Sequence, residues 1–237
     1  MKERTTTLDT PDGPMDLFEA RPDGEARGAV IVVQEAFGVN DYIEAVARNL
    51  AIEGYHAVAP HLFHRAGGGT VPYGDFSKVI EKYQGLDDDA ILRDLDATLQ
   101  YLRQEGWSDN RIGVVGFCFG GRVSFLVAAR RHLGAAVGFY GGGIVTARFP
   151  QFPPLIDEAA TLKTPWLGFF GDLDQSIPTD DVEQLRSALD KAPVDHEVVR
   201  YANAGHGFHR FVSDDHVADA ADDAWGRTLG WLAKHLK

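Results

Sequence analysis

Short apolar runs alternate along this chain with longer stretches in which apolar residues recur every three or four positions. A short β-branched run suits a strand covered on both faces, and the three-to-four spacing suits a helix lying over it. Thr5–Thr10 and Met15–Ala20 flank Pro11-Asp12-Gly13-Pro14, a turn sequence, so the pattern predicts an antiparallel hairpin at a sheet edge. Ala29–Gln34 reads as a buried strand. Asn40 is a plausible cap for a helix that carries Ile43, Val46, Ala47 and Leu50 on one face and stops at Gly54. His56–Pro60 reads as the next strand. A glycine-rich loop follows at Ala66-Gly67-Gly68-Gly69, then a weak helical patch over Asp75–Tyr83 and a strong helix over Asp87–Glu105. Strands are predicted at Arg111–Phe117, Ala135–Tyr140, Trp166–Phe170 and His196–Tyr201, with helices at Phe119–Arg131, Val182–Leu189 and Val217–Leu236.

About eight strands with helices between most of them predict an α/β chain: a mostly parallel eight-stranded sheet with helices on both faces, in the α/β-hydrolase layout. No repeat, low-complexity tract or linker divides the 237 residues, so one domain over 1–237 is expected. A formal net charge of -12 repels the phosphate backbone, which argues against nucleic acid and leaves an anionic substrate in need of a local cation. The first residues lack the apolar core of a signal peptide, and no apolar run is long enough to span a membrane, which together point to the cytoplasm. One cysteine forms neither an internal disulfide nor a cysteine-based zinc cage. His61 and His64 are a close pair, but without cysteine nearby they read as hydrogen-bonding or surface histidines, and no metal or cofactor is expected.

The chemistry begins at Arg111-Ile112-Gly113-Val114-Val115-Gly116-Phe117-Cys118-Phe119-Gly120-Gly121. A buried strand runs straight into a helix, with glycine two residues either side of Cys118. This is the pattern of G-x-S-x-G hydrolases, in which a strained turn pushes the nucleophile clear of the sheet. The N-terminus of the following helix favours a thiolate and later an oxyanion. A lone cysteine is more often a small buried hydrophobe, so the elbow needs partners. They occur in the expected chain order. Asp172 and Asp174 follow the late strand at 166–170, and His206 follows the last strand, between two glycines. Asp174 is the preferred acid, because Ile177-Pro178 follows it as in hydrolases of this kind, and Asp172 is the competitor. The oxyanion donors should be the backbone N–H groups of Ala36 and Phe119. Glu35, ending an apolar strand, needs a partner: backbone donors if it is structural, Cys118 if it is functional.

Gln34-Glu35-Ala36-Phe37-Gly38-Val39-Asn40, Gly116-Phe117-Cys118-Phe119-Gly120-Gly121, Gly171 to Pro178 and Ala204-Gly205-His206-Gly207-Phe208 together resemble the dienelactone hydrolases (carboxymethylenebutenolidases). The resemblance runs from about Asp9 to the C-terminus. It implies a triad of Cys118, Asp174 and His206, with Glu35 pairing with the resting thiol and taking its proton when substrate binds. It further implies hydrolysis of a small lactone or ester, with or without a carboxylate, by a cofactor-free monomer or small homo-oligomer. Family members grip a substrate carboxylate with two arginines. Arg210 stands at one of these places, while the other falls in the helical patch, where this chain offers Lys78 without the bidentate fork of guanidinium. Lys82 and Arg65 are weaker alternatives for that second contact. A non-catalytic ligand-binding protein of the same fold and a redox-sensing thiol are the competing readings. The first should have a broken triad and the second a resolving cysteine.

Overall fold

The computed structural model describes residues 1–211 and 213–237. Its strands are β1 (Lys2–Thr10), β2 (Gly13–Arg21), β3 (Ala29–Val33), β4 (His56–Pro60), β5 (Ile112–Phe117), β6 (Ala135–Phe139), β7 (Trp166–Gly171) and β8 (His196–Tyr201). The α-helices are α1 (Asp41–Ile52), α2 (Phe76–Lys82), α3 (Asp88–Gln104), α4 (Phe119–Arg130), α5 (Thr179–Leu189) and α6 (Ala218–His235). One eight-stranded sheet has the order β1-β2-β4-β3-β5-β6-β7-β8. The β1–β2 and β2–β4 pairs are antiparallel, and every other pair is parallel. This is the α/β-hydrolase fold.

Helices cover both faces, and β5 shows how. A Cβ on Gly113 would lie 2.9 Å from Leu232 of α6, whereas one on Gly116 would lie 1.9 Å from the Gly120 carbonyl in α4. Positions three apart on a strand point to opposite faces, so α6 and α4 lie on opposite sides of the sheet. Strands β3, β4, β5 and β6 are buried at every residue, which is why they read as continuous apolar runs instead of alternating ones. Helix α1 begins at the expected cap: the Asn40 side chain accepts from the Ile43 N–H.

The site is positioned by register. Val33 of β3 pairs with Gly116 of β5, so the residues leaving these two strands emerge side by side. From β3 the sheet continues to β4 on one side and β5 on the other, and such a switch point opens a crevice beyond the carboxyl ends of the strands. Gly171 at the end of β7 pairs with Tyr201 at the end of β8, which brings the two following loops together.

Candidate active site

Cys118 sits between β5 and α4 with φ 54° and ψ -112°, a left-handed conformation that a residue with a Cβ adopts only under constraint. The constraint is visible. Its N–H donates to the Phe139 carbonyl at 3.0 Å, and its carbonyl accepts from Gly121 N–H at 2.9 Å. Gly120 lies where a Cβ would be 2.3 Å from the Val33 carbonyl oxygen, so only glycine lets the helix start this close to β3. The thiol is thereby lifted into the crevice, half-buried.

His206 reaches it from the loop after β8. Its Nδ1 lies 2.6 Å from Asp174 Oδ2, which leaves Nε2 as the nitrogen free to face the thiol. Burial pulls the His206 pKa down, but the negative charge of the Cys118 thiolate and the hydrogen bond with Asp174 outweigh it, and the imidazole is pushed up to about 10. Burial pushes the Asp174 carboxyl up, yet His206 and Ser176 hold it below the usual carboxylate range. Ser176 supplies two donors to Asp174 Oδ1, its N–H at 2.8 Å and its hydroxyl at 2.5 Å. Asp172, the competing carboxylate, turns away and pairs with Arg200 Nε at 2.7 Å. The structure therefore brings together Cys118, His206 and Asp174, and separates Asp172 from them.

Among the described residues, the N–H groups of Ala36 and Phe119 donate no hydrogen bond within the protein, and both residues line the same cavity as Cys118. Phe119 opens α4, so its N–H lacks a helical acceptor by construction. Glu35 is fully buried in the cavity wall. Its expected partners were backbone donors or the thiol. The hydrogen bond it receives comes instead from the Tyr73 hydroxyl at 2.9 Å, with Arg210 Nη1 at 3.7 Å, while Oε1 has no hydrogen-bond partner. Burial raises the Glu35 pKa, and Arg210 and Tyr73 offset only part of that.

The cavity has a volume of about 1050 Å³. Glu35, Tyr73 and Arg210 form one cluster in its lining, Cys118 and His206 open onto it, and the aromatic residues Tyr83, Phe149 and Phe152 pack together as an apolar wall. Arg210 lies over the Tyr73 ring at 4.4 Å and pairs with Asp215 at 2.6 Å as well as with Glu35. The other expected cations do not line the cavity. Lys78 is largely exposed and pairs with Asp75 at 3.2 Å. Helix α2 turns Phe76 and Val79 to the cavity, and Lys78 follows Phe76 by two positions, nearly to the opposite side of the helix. Lys82 donates to the Ala66 and Gly68 carbonyls, tying down the glycine-rich loop. Arg65 pairs with Asp12 and Asp94. Of the close histidine pair, His64 bonds Asp94 at 3.1 Å.

Several residues escaped sequence reasoning. Tyr73 lies in a loop without periodicity, and nothing in the motif that carries Asp174 marks Ser176 as its hydrogen-bond donor. Tyr140, with φ 39°, packs its ring 5.0 Å from that of His206 and so backs the imidazole. Its hydroxyl lies 3.4 Å from Tyr42, which bonds the buried His209 at 2.8 Å. Burial holds His209 down at about 4, so this partner is neutral. Arg148, on the excursion after β6, also lines the cavity. No spacing rule links these residues to Cys118.

A cysteine on a strained strand-to-helix turn, joined by a histidine and an aspartate from the ends of later strands, defines a hydrolase-type α/β protein. Comparison with known proteins makes this specific. Residues 15–236 match the dienelactone hydrolase family, and the chain belongs to that family. It is 36% identical to a Yersinia pestis protein named "Putative carboxymethylenebutenolidase", over 97% of this chain and 87% of the relative. It is 32% identical to a carboxymethylenebutenolidase of Pseudomonas putida, over 86% of this chain and 84% of that protein. A crystal structure titled "Putative Dienelactone Hydrolase", from Klebsiella pneumoniae, superposes with a TM-score of 0.90 at 35% identity, covering 98% of both chains. The protein is a dienelactone hydrolase-like hydrolase. No helix among the described residues is long and apolar enough to cross a membrane.

Proposed function

We propose that the protein hydrolyses a small lactone or activated carboxylic ester through a thioester on Cys118. The observation that carries this reading is the His206 Nδ1–Asp174 contact of 2.6 Å beside a nucleophile whose φ is 54°. In the proposed cycle the Cys118 thiolate attacks the carbonyl carbon, and the oxyanion takes the Ala36 and Phe119 N–H groups. The C–O bond breaks as His206 gives its Nε2 proton to the leaving oxygen. Water then attacks the thioester, passing a proton back to His206, and the Cys118–carbon bond breaks to release the acid. A thiolate is itself a good leaving group, so the mechanism favours enol lactones and aryl esters, whose oxygen leaves easily, over amides.

Glu35 is the proposed holder of the thiol proton. Its raised pKa and its unpartnered Oε1 support a carboxyl that changes protonation within the catalytic cycle. A neutral Glu35 would release Arg210 to a substrate carboxylate, which couples substrate charge to the state of the thiol. A reducing compartment such as the cytoplasm suits an unpaired catalytic thiol.

Hydrolysis of 4-nitrophenyl acetate, followed at 25 °C, tests the reading. Cys118→Ala and His206→Ala should each lose about 10³-fold or more in kcat/KM while keeping wild-type circular dichroism. Mass spectrometry of quenched wild type should find an acetyl adduct on Cys118. Near wild-type turnover in either variant overturns the triad, and absence of turnover in the wild type favours a non-catalytic ligand-binding role.

A further inference from the structure

The cavity wall contains three guanidinium groups, and they differ in how their charge is met. Arg122 is buried and held bidentately by Asp88, at 2.6 and 3.1 Å. Arg210 stands between Glu35 and Asp215. Arg148 forms no ion pair with a carboxylate among the described residues, where its recorded hydrogen bond goes to a backbone carbonyl, although the chain carries a formal charge of -12. Its one fixed partner is a backbone acceptor, the Ser176 carbonyl, which leaves most of its donors unused.

This arginine is held in place by its surroundings. Arg122 donates from Nε to the Gly143 carbonyl at 3.2 Å and from Nη2 to the Pro153 carbonyl at 2.6 Å, holding the excursion on either side of Arg148. The next residue, Phe149, bridges to Phe152 and packs its ring 5.2 Å from that of Tyr83. The guanidinium itself lies over Gly142, where a Cβ would come within 2.2 Å of its carbon. Its charge is felt at Tyr83, the same buried phenol that senses the Cys118 thiolate. Arg148 is thus held in the wall of the cavity that contains Cys118, between the loop bearing Asp174 and an aromatic wall.

We propose that Arg148 is the residue that selects an anionic substrate: a lactone or ester with a carboxylate at one end and a flat apolar body lying against Tyr83, Phe149 and Phe152. This rests on the hydrolase reading above and adds the specificity-determining residue, one outside the two arginine places that the family resemblance implies. The physical ground is competition. A carboxylate approaching Arg210 must displace or neutralise Glu35 and Asp215, whereas one approaching Arg148 meets a cation whose charge is unmatched. A second role for Arg148, as a latch on the Asp174 loop through Ser176, would act on every substrate alike. Selection of an anion acts only on charged ones.

The test compares 4-nitrophenyl acetate with 4-nitrophenyl hydrogen succinate, and in parallel measures benzoate binding by isothermal titration calorimetry. Arg148→Ala should raise KM for the succinate ester roughly ten- to hundred-fold relative to KM for the acetate, with the main effect in KM and not in kcat. It should weaken benzoate binding by a similar factor. Arg148→Lys should restore part of both effects, and Lys191→Ala, which removes one exposed positive charge elsewhere, should leave the KM ratio as in wild type. Equal losses on both esters, carried by kcat, would reduce Arg148 to a latch and overturn the proposal. If neither ester is hydrolysed by the wild type but benzoate binding depends on Arg148, the hydrolase reading falls and the anion site stands. If the wild type hydrolyses both esters and Arg148→Ala changes neither the KM ratio nor benzoate binding, the anion site falls and the hydrolase reading stands.

Discussion

Cys118 has two energetic consequences that a buried cysteine in a relaxed backbone would not have. The first is its φ of 54°, a conformation worth about 1–3 kcal/mol of strain for a residue with a Cβ. The glycine-for-alanine comparison isolates that cost, because both Cys118→Gly and Cys118→Ala remove the thiol. The glycine variant should be the more stable of the two by about 1 kcal/mol, read from urea denaturation midpoints. The second is electrostatic, acts on His206 and is favourable. The imidazole pKa of about 10 survives burial because the thiolate and Asp174 outweigh it. The imidazolium is then favoured by the fold up to about pH 10, and its contribution to stability is complete below the ordinary value of 6.5 and lost as pH rises through 10. In Cys118→Ala the thiolate contribution is gone, so the His206 titration followed by NMR should move clearly downward. An unchanged midpoint would mean that the two groups do not interact. Glu35 poses the matching question for the thiol. Glu35→Gln should alter the pH dependence of Cys118 alkylation by iodoacetamide, and an unchanged profile would leave Glu35 as a structural partner of Tyr73 and Arg210.

At the level of elements, the site is made by strand ends. The β3–β5 register sets Glu35 and Ala36 beside Cys118, and the β7–β8 register sets Asp174 beside His206. Glycines let these junctions close. A methyl on Gly120 would sit 2.3 Å from the Val33 carbonyl and 2.7 Å from that of Gln34, both backbone atoms that yield little. Gly120→Ala should therefore destabilise the protein by more than about 2 kcal/mol and also lower turnover, since α4 carries the Phe119 N–H. Unfolding midpoint and kcat measured on the same sample check both effects. Strands and major helices were readable because burial imposes a period on the sequence, and their boundaries agree within a few residues. Lys78 was not readable in this way. Its place in a weak helical patch said nothing of which way α2 would rotate, and the rotation is set by Val79, which is buried at the cavity, with the largely exposed Phe76 on the same face.

For the whole molecule, charge is the organising quantity. With a formal net charge of -12, an anionic substrate approaches against the average field, and a local cation must reverse it. Arg210 is one such cation. Replacing it by alanine should raise KM for the succinate ester by up to roughly ten-fold more than for the acetate, a smaller effect than at Arg148 because its charge is already shared by two carboxylates. Losses that match on the two esters would assign Arg210 to holding Glu35 alone. Both differentials should shrink as salt rises, because screening weakens attraction at a half-open site.

Local order along the chain was enough for the backbone plan. Periodicity dictated the elements, the glycine pair around Cys118 dictated the elbow, and the succession of Cys118, Asp174 and His206 after successive strands dictated which residues meet. These follow from sequence because burial and tight turns act on neighbours a few positions apart. The choice of Asp174 over Asp172 was suggested by Ile177-Pro178, but contact with His206 made it physical. The partners of Glu35, the neutralisation of Arg210 and the open charge of Arg148 had no local signature. Apart from the local Arg210–Asp215 pair, they depend on side chains separated by tens to more than a hundred positions, which become neighbours only when the sheet assembles and the loops after β3, β6, β7 and β8 converge on one cavity.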